Sequence, residues 1–193
     1  MTTARLEGFS DGVMAIIITI AALNIHVPAD PTFEAFASVL PIFLIYAWSF
    51  QIVGTLWGNH HHLMAVTKGV NIWIMWANLH LLFWLSLIPF ATGWLGAHIG
   101  EAWPTAVYSV ISLGAAVAYM LLERAIVAYQ GKDAQLVAVL GNNTRELISI
   151  IGSILSVIMA FIYPLISYLL AIALAMIWLI PDRRIVPQKN KLT

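Results

Sequence analysis

Polar residues are confined to a few places along the chain, and the stretches between them are almost wholly apolar. No Asp, Glu, Lys or Arg lies between Asp11 and Asp30, Glu34 and Lys68, Lys68 and Glu101, Glu101 and Glu123, or Glu146 and Asp182. A helix needs about 20 mostly apolar residues to cross hydrocarbon. The pattern predicts helices near 9–27, 36–66, 70–96, 104–128, 146–162 and 164–180. The first is not a cleaved signal, since no run of basic residues precedes it and Asp11 sits at its start. The last apolar block is read as two short helices. As one helix, 147–181 would reach roughly 50 Å at 1.5 Å per residue, well beyond a hydrocarbon core of about 30 Å. Pro164, in mid-block, breaks one helix or opens the next.

The basic residues test this count. With six spans, both termini share a side, and Arg5, Lys68, Arg124, Lys132, Arg145, Arg183, Arg184, Lys189 and Lys191 all fall there. The opposite loops, around 28–35, 97–103 and 163, carry Asp30, Glu34 and Glu101 and no Lys or Arg. The positive-inside rule then makes both termini cytoplasmic. A five-span chain would put the basic tail outside. The segment 129–145, with Gly131, Gly141, Asn142 and Asn143, reads as a cytoplasmic loop, and the tail after Pro181 as short and polar.

Composition narrows the class. Of 193 residues, 61% are hydrophobic and 9% charged, against about 25% charged in soluble domains. Mean hydropathy is +0.89. The expectation is an all-α membrane protein, with 1–193 forming a single six-helix transmembrane domain in the lipid bilayer. Nine basic residues balance nine acidic ones, so no global field holds nucleic acid. Without Cys there is no disulfide, thiolate chemistry or Cys-ligated zinc.

Four segments carry candidate chemistry. The first helix opens Arg5-Leu6-Glu7-Gly8-Phe9-Ser10-Asp11-Gly12. Ser10 or Asp11 alone is an ordinary helix cap. Arg5, Ser10 and Asp11 together at a membrane boundary point to a paired polar network, because ionisable groups there are costly alone. Gly8-Phe9-Ser10-Asp11-Gly12 also fits G-x-S-x-G, but the hydrolase elbow needs a strand before it and none precedes this helix. An intramembrane serine hydrolase is therefore set aside, and no enzyme is expected. In the helix body Ile16, Thr19, Ile20 and Leu23 share one face. That stripe reads as lipid-facing, packing or functional. Ile17 and Ile18 fall off it, toward lipid, and Ala15, Ala21 and Ala22 leave small surfaces suited to close packing.

The second helix ends Trp57-Gly58-Asn59-His60-His61-His62. Adjacent helical residues point about 100° apart, so at most two of these histidines could share a metal. Hydrogen bonding at the cytoplasmic end is favoured, and a His–Asp–Arg cluster with Asp11 and Arg5 is geometrically open. The third helix carries Asn78 and His80, which should face protein. Its tryptophans, Trp73, Trp76 and Trp84, read as interface and packing residues. A proton-coupled transporter using His60–His62 and Asp11 as a relay is the competing reading. Such transporters usually show paired repeats and broken helices at the midplane.

Arg5-x-x-x-Phe9-Ser10-Asp11-Gly12 before an Ile-rich helix with Thr19 resembles the transmembrane protein 175 family of potassium channels, and specifically its prokaryotic single-repeat form. Trp57-x-x-His60-His61, and Asn78 followed by Pro89-Phe90, extend the likeness over nearly the whole chain. The resemblance implies a potassium-selective channel, passive and homotetrameric, with the first helix of each copy lining a central pore. The chain agrees in lacking T-V-G-Y-G. By position from Asp11, the resemblance implies a narrow apolar ring at Ile16, a hydroxyl layer near permeating K+ at Thr19, and further lining by Ile20 and Leu23. Arg5, Phe9, Ser10, Asp11, Trp57, His60 or His61, and Asn78 map onto the network anchoring the pore helix. An acid is common in prokaryotic members where Asn24 stands, so the charge drawing cations to the outer pore is weaker here. No cofactor is implied beyond the permeant ion. The partners are other copies of the chain, lipid and K+, in the cell membrane of a prokaryote.

Overall fold

The computed structural model describes residues 1–131, 136 and 144–179. Lys132, the middle of the 129–145 segment and the basic tail from Arg183 lie outside the described residues. Within them the chain is helical and has no strand. The helices are α1 (Thr3–Ala22), α2 (Phe33–Ala65), α3 (Ile72–Ser86), α4 (Ile88–Ala97), α5 (Ala102–Gln130), α6 (Thr144–Ile162) and α7 (Pro164–Leu179).

Two boundaries differ instructively from the sequence reading. The first helix starts six residues earlier than position 9, because Thr2 caps it, its hydroxyl accepting from the Arg5 amide at 3.4 Å. It also stops at Ala22, short of 27. The expected helix 70–96 is two helices separated at Leu87. Pro89 has no amide hydrogen to continue the ladder, and Leu87 closes α3 with a tight bond from its amide to Trp84 O at 3.2 Å. Ile72–Ala97 nonetheless forms one apolar stretch of 26 residues.

Phe33–Ala65, Ile72–Ala97 and Ala102–Gln130 are each long and apolar enough to cross a membrane. The two shorter apolar helices, α6 and α7, are separated by Tyr163 alone, with Pro164 opening α7. They pack on each other, with Gly152 against Leu174. These positions lie nearly equidistant from Tyr163, which makes the pair an antiparallel hairpin.

α5 is the spine, packing on α3, α4 and α6. α1 lies against α2, α3 and α4. The core joins Leu63 and Met64 of α2, Ile74, Leu81 and Leu85 of α3, and Leu122 and Ile126 of α5. The Trp84 indole of α3 packs against Gly114 of α5 and leaves no room there for a Cβ. Outside this core the surface carries large apolar side chains, among them Phe36, Phe43, Trp73, Trp76, Phe83 and Phe90. An outer wall of that kind belongs in hydrocarbon, not water.

Polar groups inside the bundle are satisfied in small clusters. Ser49 Oγ bonds Thr92 Oγ1 at 2.7 Å and Tyr108 Oη at 2.9 Å, tying α2, α4 and α5. Ser109, Ser156 and Ser167 join α5, α6 and α7 within 3.2 Å of one another. Such bonds hold helices together where the solvent offers no alternative partner. Near the end of α5, Gln130 Oε1 accepts from the Lys68 amide at 2.8 Å and its Nε2 donates to Val66 O at 3.1 Å. That clamps the turn between α2 and α3.

Candidate functional site

α1 has two unlike faces. Leu6, Ser10, Met14, Ile17 and Ala21 recur at helical spacing and are buried against the rest of the chain. Ile17 is thus a core residue, not the lipid-facing one expected, and Ile18 is half-buried against the same core. Rotated away from this face, Phe9, Ile16, Thr19, Ile20 and Leu23 are exposed. Ile16 is 57% exposed, Ile20 48% and Leu23 81%. A continuous bare apolar stripe on one helix needs something outside the single chain to cover it. Thr19 is the hydroxyl in the stripe. Its Oγ1 donates to Ile16 O at 2.9 Å, so its proton is engaged within the helix and its lone pairs are left to point outward.

The buried face is pinned by a hydrogen-bonded chain through three helices. Ser10 Oγ donates to Leu6 O at 2.9 Å. Having given its proton, it accepts from Asn78 Nδ2, also at 2.9 Å. Asn78 Oδ1 then accepts from His60 Nε2 at 2.8 Å, which requires the proton on Nε2. Ser10, Asn78 and His60 have no exposed surface. The order of donors is therefore dictated from Leu6 outward, and each member fixes the next. His60 Nδ1 has no partner among the described residues.

A second pair of contacts closes α1 on α2 beside this chain. Trp57 Nε1 donates to Asp11 Oδ1 at 2.9 Å. One turn along both helices, His61 Nδ1 lies 2.7 Å from Glu7 Oε1. The helices run antiparallel here, so four residues back on α1 meet four residues forward on α2. The Trp57 and His61 rings stack with centroids 6.3 Å apart, joining the two rungs. At the other end of α1, Asn24 Nδ2 donates to Pro89 O at 2.7 Å, and the Asn24 side chain fills the space beside Gly93. α1 is thus tied at both ends, to α2 and α3 at its start and to α4 past its finish.

The structure brings together Ser10, Asp11, Trp57, His60, His61 and Asn78 from the predicted network. It leaves two members outside. Arg5 makes no side-chain hydrogen bond or ion pair among the described residues, so Asp11 is not joined to Arg5 or to a histidine but to an indole. Phe9 stands on the exposed stripe, 55% exposed. Glu7 and Asn24 belong to the site and were not among the predicted anchors. The four-residue spacing shared by Glu7/Asp11 and Trp57/His61 is the signal for the first. No three His, Asp or Glu residues converge as a metal site among the described residues.

Fold and site together define a helical membrane protein in which one helix is pinned along one face and presents a bare apolar stripe on another. The family described as endosomal/lysosomal potassium channel TMEM175 matches residues 5–89, the segment from Arg5 through Pro89 that holds this whole site. A potassium channel of Chryseobacterium sp. (strain P1-3) is 46% identical over 185 residues, covering 96% of both chains. The crystal structure of a lysosomal potassium-selective channel TMEM175 homolog from Chamaesiphon minutus superposes with a TM-score of 0.78 at 25% identity, covering 92% of this chain and 96% of that one. The endosomal/lysosomal proton channel TMEM175 of Homo sapiens is 42% identical over 89 residues, 37% of this chain and 18% of that one. The chain belongs to the TMEM175 family, a family of ion channels and not of enzymes.

Proposed function

We propose that the protein is a passive, potassium-selective channel in which α1 of four identical chains surrounds a central pore. The observation that carries this reading is the bare stripe of α1, from Phe9 through Ile16, Thr19 and Ile20 to Leu23, on a helix held at both ends. A lone helix cannot enclose a path, so closure needs several copies around an axis. Ile16 forms the narrow ring, Thr19 the hydroxyl layer beside permeating K+, and Ile20 and Leu23 line the pore beyond. Ser10, Asp11, Trp57, His60, His61 and Asn78 set the tilt and rotation of α1.

In this reading residues 1–193 form one transmembrane domain of six spans, with α3 and α4 acting as one. α1 carries Arg5, Glu7 and Asp11 at one end and tolerates them because it faces protein and a water-filled path, not lipid. Both termini are cytoplasmic, in the cell membrane of a prokaryote. The outer mouth, with Asp30, Glu34 and Glu101 and no basic residue, favours cations. A proton-coupled relay through the histidines fits less well, since His60 is locked between helices and His61 faces Glu7 at the edge of the site.

Purified protein in planar bilayers under opposed potassium and sodium gradients tests the proposal. The expected reversal potential follows potassium and is indifferent to other solute gradients. A reversal potential tracking the proton gradient alone overturns it. Native mass spectrometry in detergent should give a tetramer, and monomer alone overturns the four-chain pore.

A further inference from the structure

A cavity of about 110 Å³ lies among α2, α5, α6 and α7, away from the α1 stripe. It is partly open to the outside. Ile52 and Leu56 of α2, Ala115 and Ala116 of α5 and Leu174 of α7 are among its apolar lining. No Asp, Glu, Lys, Arg or His lines it among the described residues.

Its hydroxyls are the informative part. A serine within a helix usually returns its proton to a carbonyl one turn back. Ser112, on the cavity wall, does so, donating to Tyr108 O at 3.0 Å. Ser109 does so to Thr105 O at 2.9 Å, and Ser156 donates across to Ser167 O at 3.2 Å. Ser153 is 7% exposed, lines the same cavity, and has no hydrogen-bond partner among the described residues. A hydroxyl kept from both its own helix and its neighbours, on a cavity wall, is free to meet a group that enters the cavity.

We infer that this cavity is a binding site for a small, neutral, ring-sized molecule carrying one hydroxyl. Size sets the first limit: an engineered apolar cavity of about 150 Å³ takes benzene, so this one takes a single ring and little more. The uncharged wall sets the second, because an ion would enter without a counter-charge. Ser153 sets the third, offering one donor and one acceptor where Ser109, Ser112 and Ser156 have already committed their protons. The site does not depend on α1 being a pore helix, and its occupant would touch α2 within a residue of Trp57.

Fluorine NMR titration of the full-length protein in detergent with 4-fluorophenol and with fluorobenzene tests this. Wild type should show a saturable bound component for 4-fluorophenol above the linear partition into micelles, and weaker binding of fluorobenzene. Ser153→Ala should weaken 4-fluorophenol by between about two- and tenfold, the worth of one hydrogen bond, and leave fluorobenzene unchanged. Ser112→Leu, which fills the cavity, should remove the saturable component for both probes. Purely linear partition in wild type overturns the proposal. So does equal binding of the two probes that Ser153→Ala leaves untouched, which would make the cavity a plain slot for an acyl chain.

Discussion

Asp11 and Trp57 face each other across α1 and α2, with the indole nitrogen donating to a carboxylate oxygen at 2.9 Å. The bond matters because of where it falls. Asp11 stands one turn before the exposed stripe begins in earnest, and two positions beyond Phe9, so it fixes the rotation of the helix that carries Ile16. Only one rotation of α1 both reaches Trp57 with Asp11 and buries Ser10 against Asn78.

The two rungs should be energetically coupled through α1. In a double-mutant cycle of Asp11→Asn and Trp57→Phe, thermal unfolding in detergent should show a coupling of about 1 kcal/mol, below the roughly 1.5–3 kcal/mol of a hydrogen bond to a charged group because this one is exposed. Glu7→Gln and His61→Phe should give no more than about 1 kcal/mol, because that pair too is exposed. Strict additivity at Asp11 and Trp57 would mean that the contact does not hold α1.

Asn78 is the hinge of the buried chain. Asn78→Ala leaves two groups without their partner, the Ser10 hydroxyl and the His60 Nε2 proton, and should cost about 2–4 kcal/mol. Ser10→Ala strands one group, the Asn78 Nδ2 donor, and should cost less, about 1–2 kcal/mol. The order is the test. If Ser10→Ala unfolds at a lower temperature than Asn78→Ala, the network does not run through Asn78.

Gly114 should tolerate no side chain while Trp84 stays. An added Cβ would stand 2.2–2.4 Å from three indole atoms, and Trp84 is itself held by its bond to His80 Nε2 at 2.9 Å. Gly114→Ala should therefore destabilise by roughly 1–3 kcal/mol, as overpacking does. Trp84→Leu in the same chain should restore most of the loss. If the double variant melts lower than either single one, α3 and α5 do not meet through this pair.

Much of this arrangement is legible in the sequence, and the illegible parts share a cause. Gaps between charges place the long apolar segments, because hydrocarbon tolerates few of them. The spacing of Ile16, Thr19, Ile20 and Leu23 puts them on one face because helical geometry does not depend on partners. Which histidine is buried is another matter. His60, His61 and His62 are chemically identical, and only the packing of α3 against α2 selects His60 for Asn78. Arg5 and Trp57 compete for Asp11 on paper, and charge alone favours Arg5. The antiparallel register decides for Trp57, since it sets Asp11 opposite Trp57 just as it sets Glu7 opposite His61. The break at Leu87 is signalled by Pro89, yet the continuous hydrophobicity of 72–97 hides it.

In the proposed pore, the ring of Ile16 is the gate. In four chains around an axis, four sec-butyl groups meet with nothing to replace the water around an ion. Stripping a cation costs far more than an apolar wall returns, so such a ring is a barrier until the helices tilt or rotate. Ile16→Asn keeps roughly similar bulk and lets water wet the ring. It should give larger current and poorer discrimination between potassium and sodium, read from single-channel conductance and reversal potential. Thr19 acts by a different route. Its proton is held by Ile16 O at 2.9 Å, which leaves oxygen lone pairs for a cation, and Thr19→Val removes them at nearly constant shape. That variant should lose potassium preference without a comparable gain in current. Ile158, exposed on α6 and remote from α1 in sequence, supplies the control, and Ile158→Asn should leave conductance and selectivity as in wild type. If Ile16→Asn also conducts and selects as wild type does, Ile16 is packing alone. The conducting face of α1 would then have to lie along another line of the helix, which the burial of Ser10, Met14 and Ile17 leaves little room for.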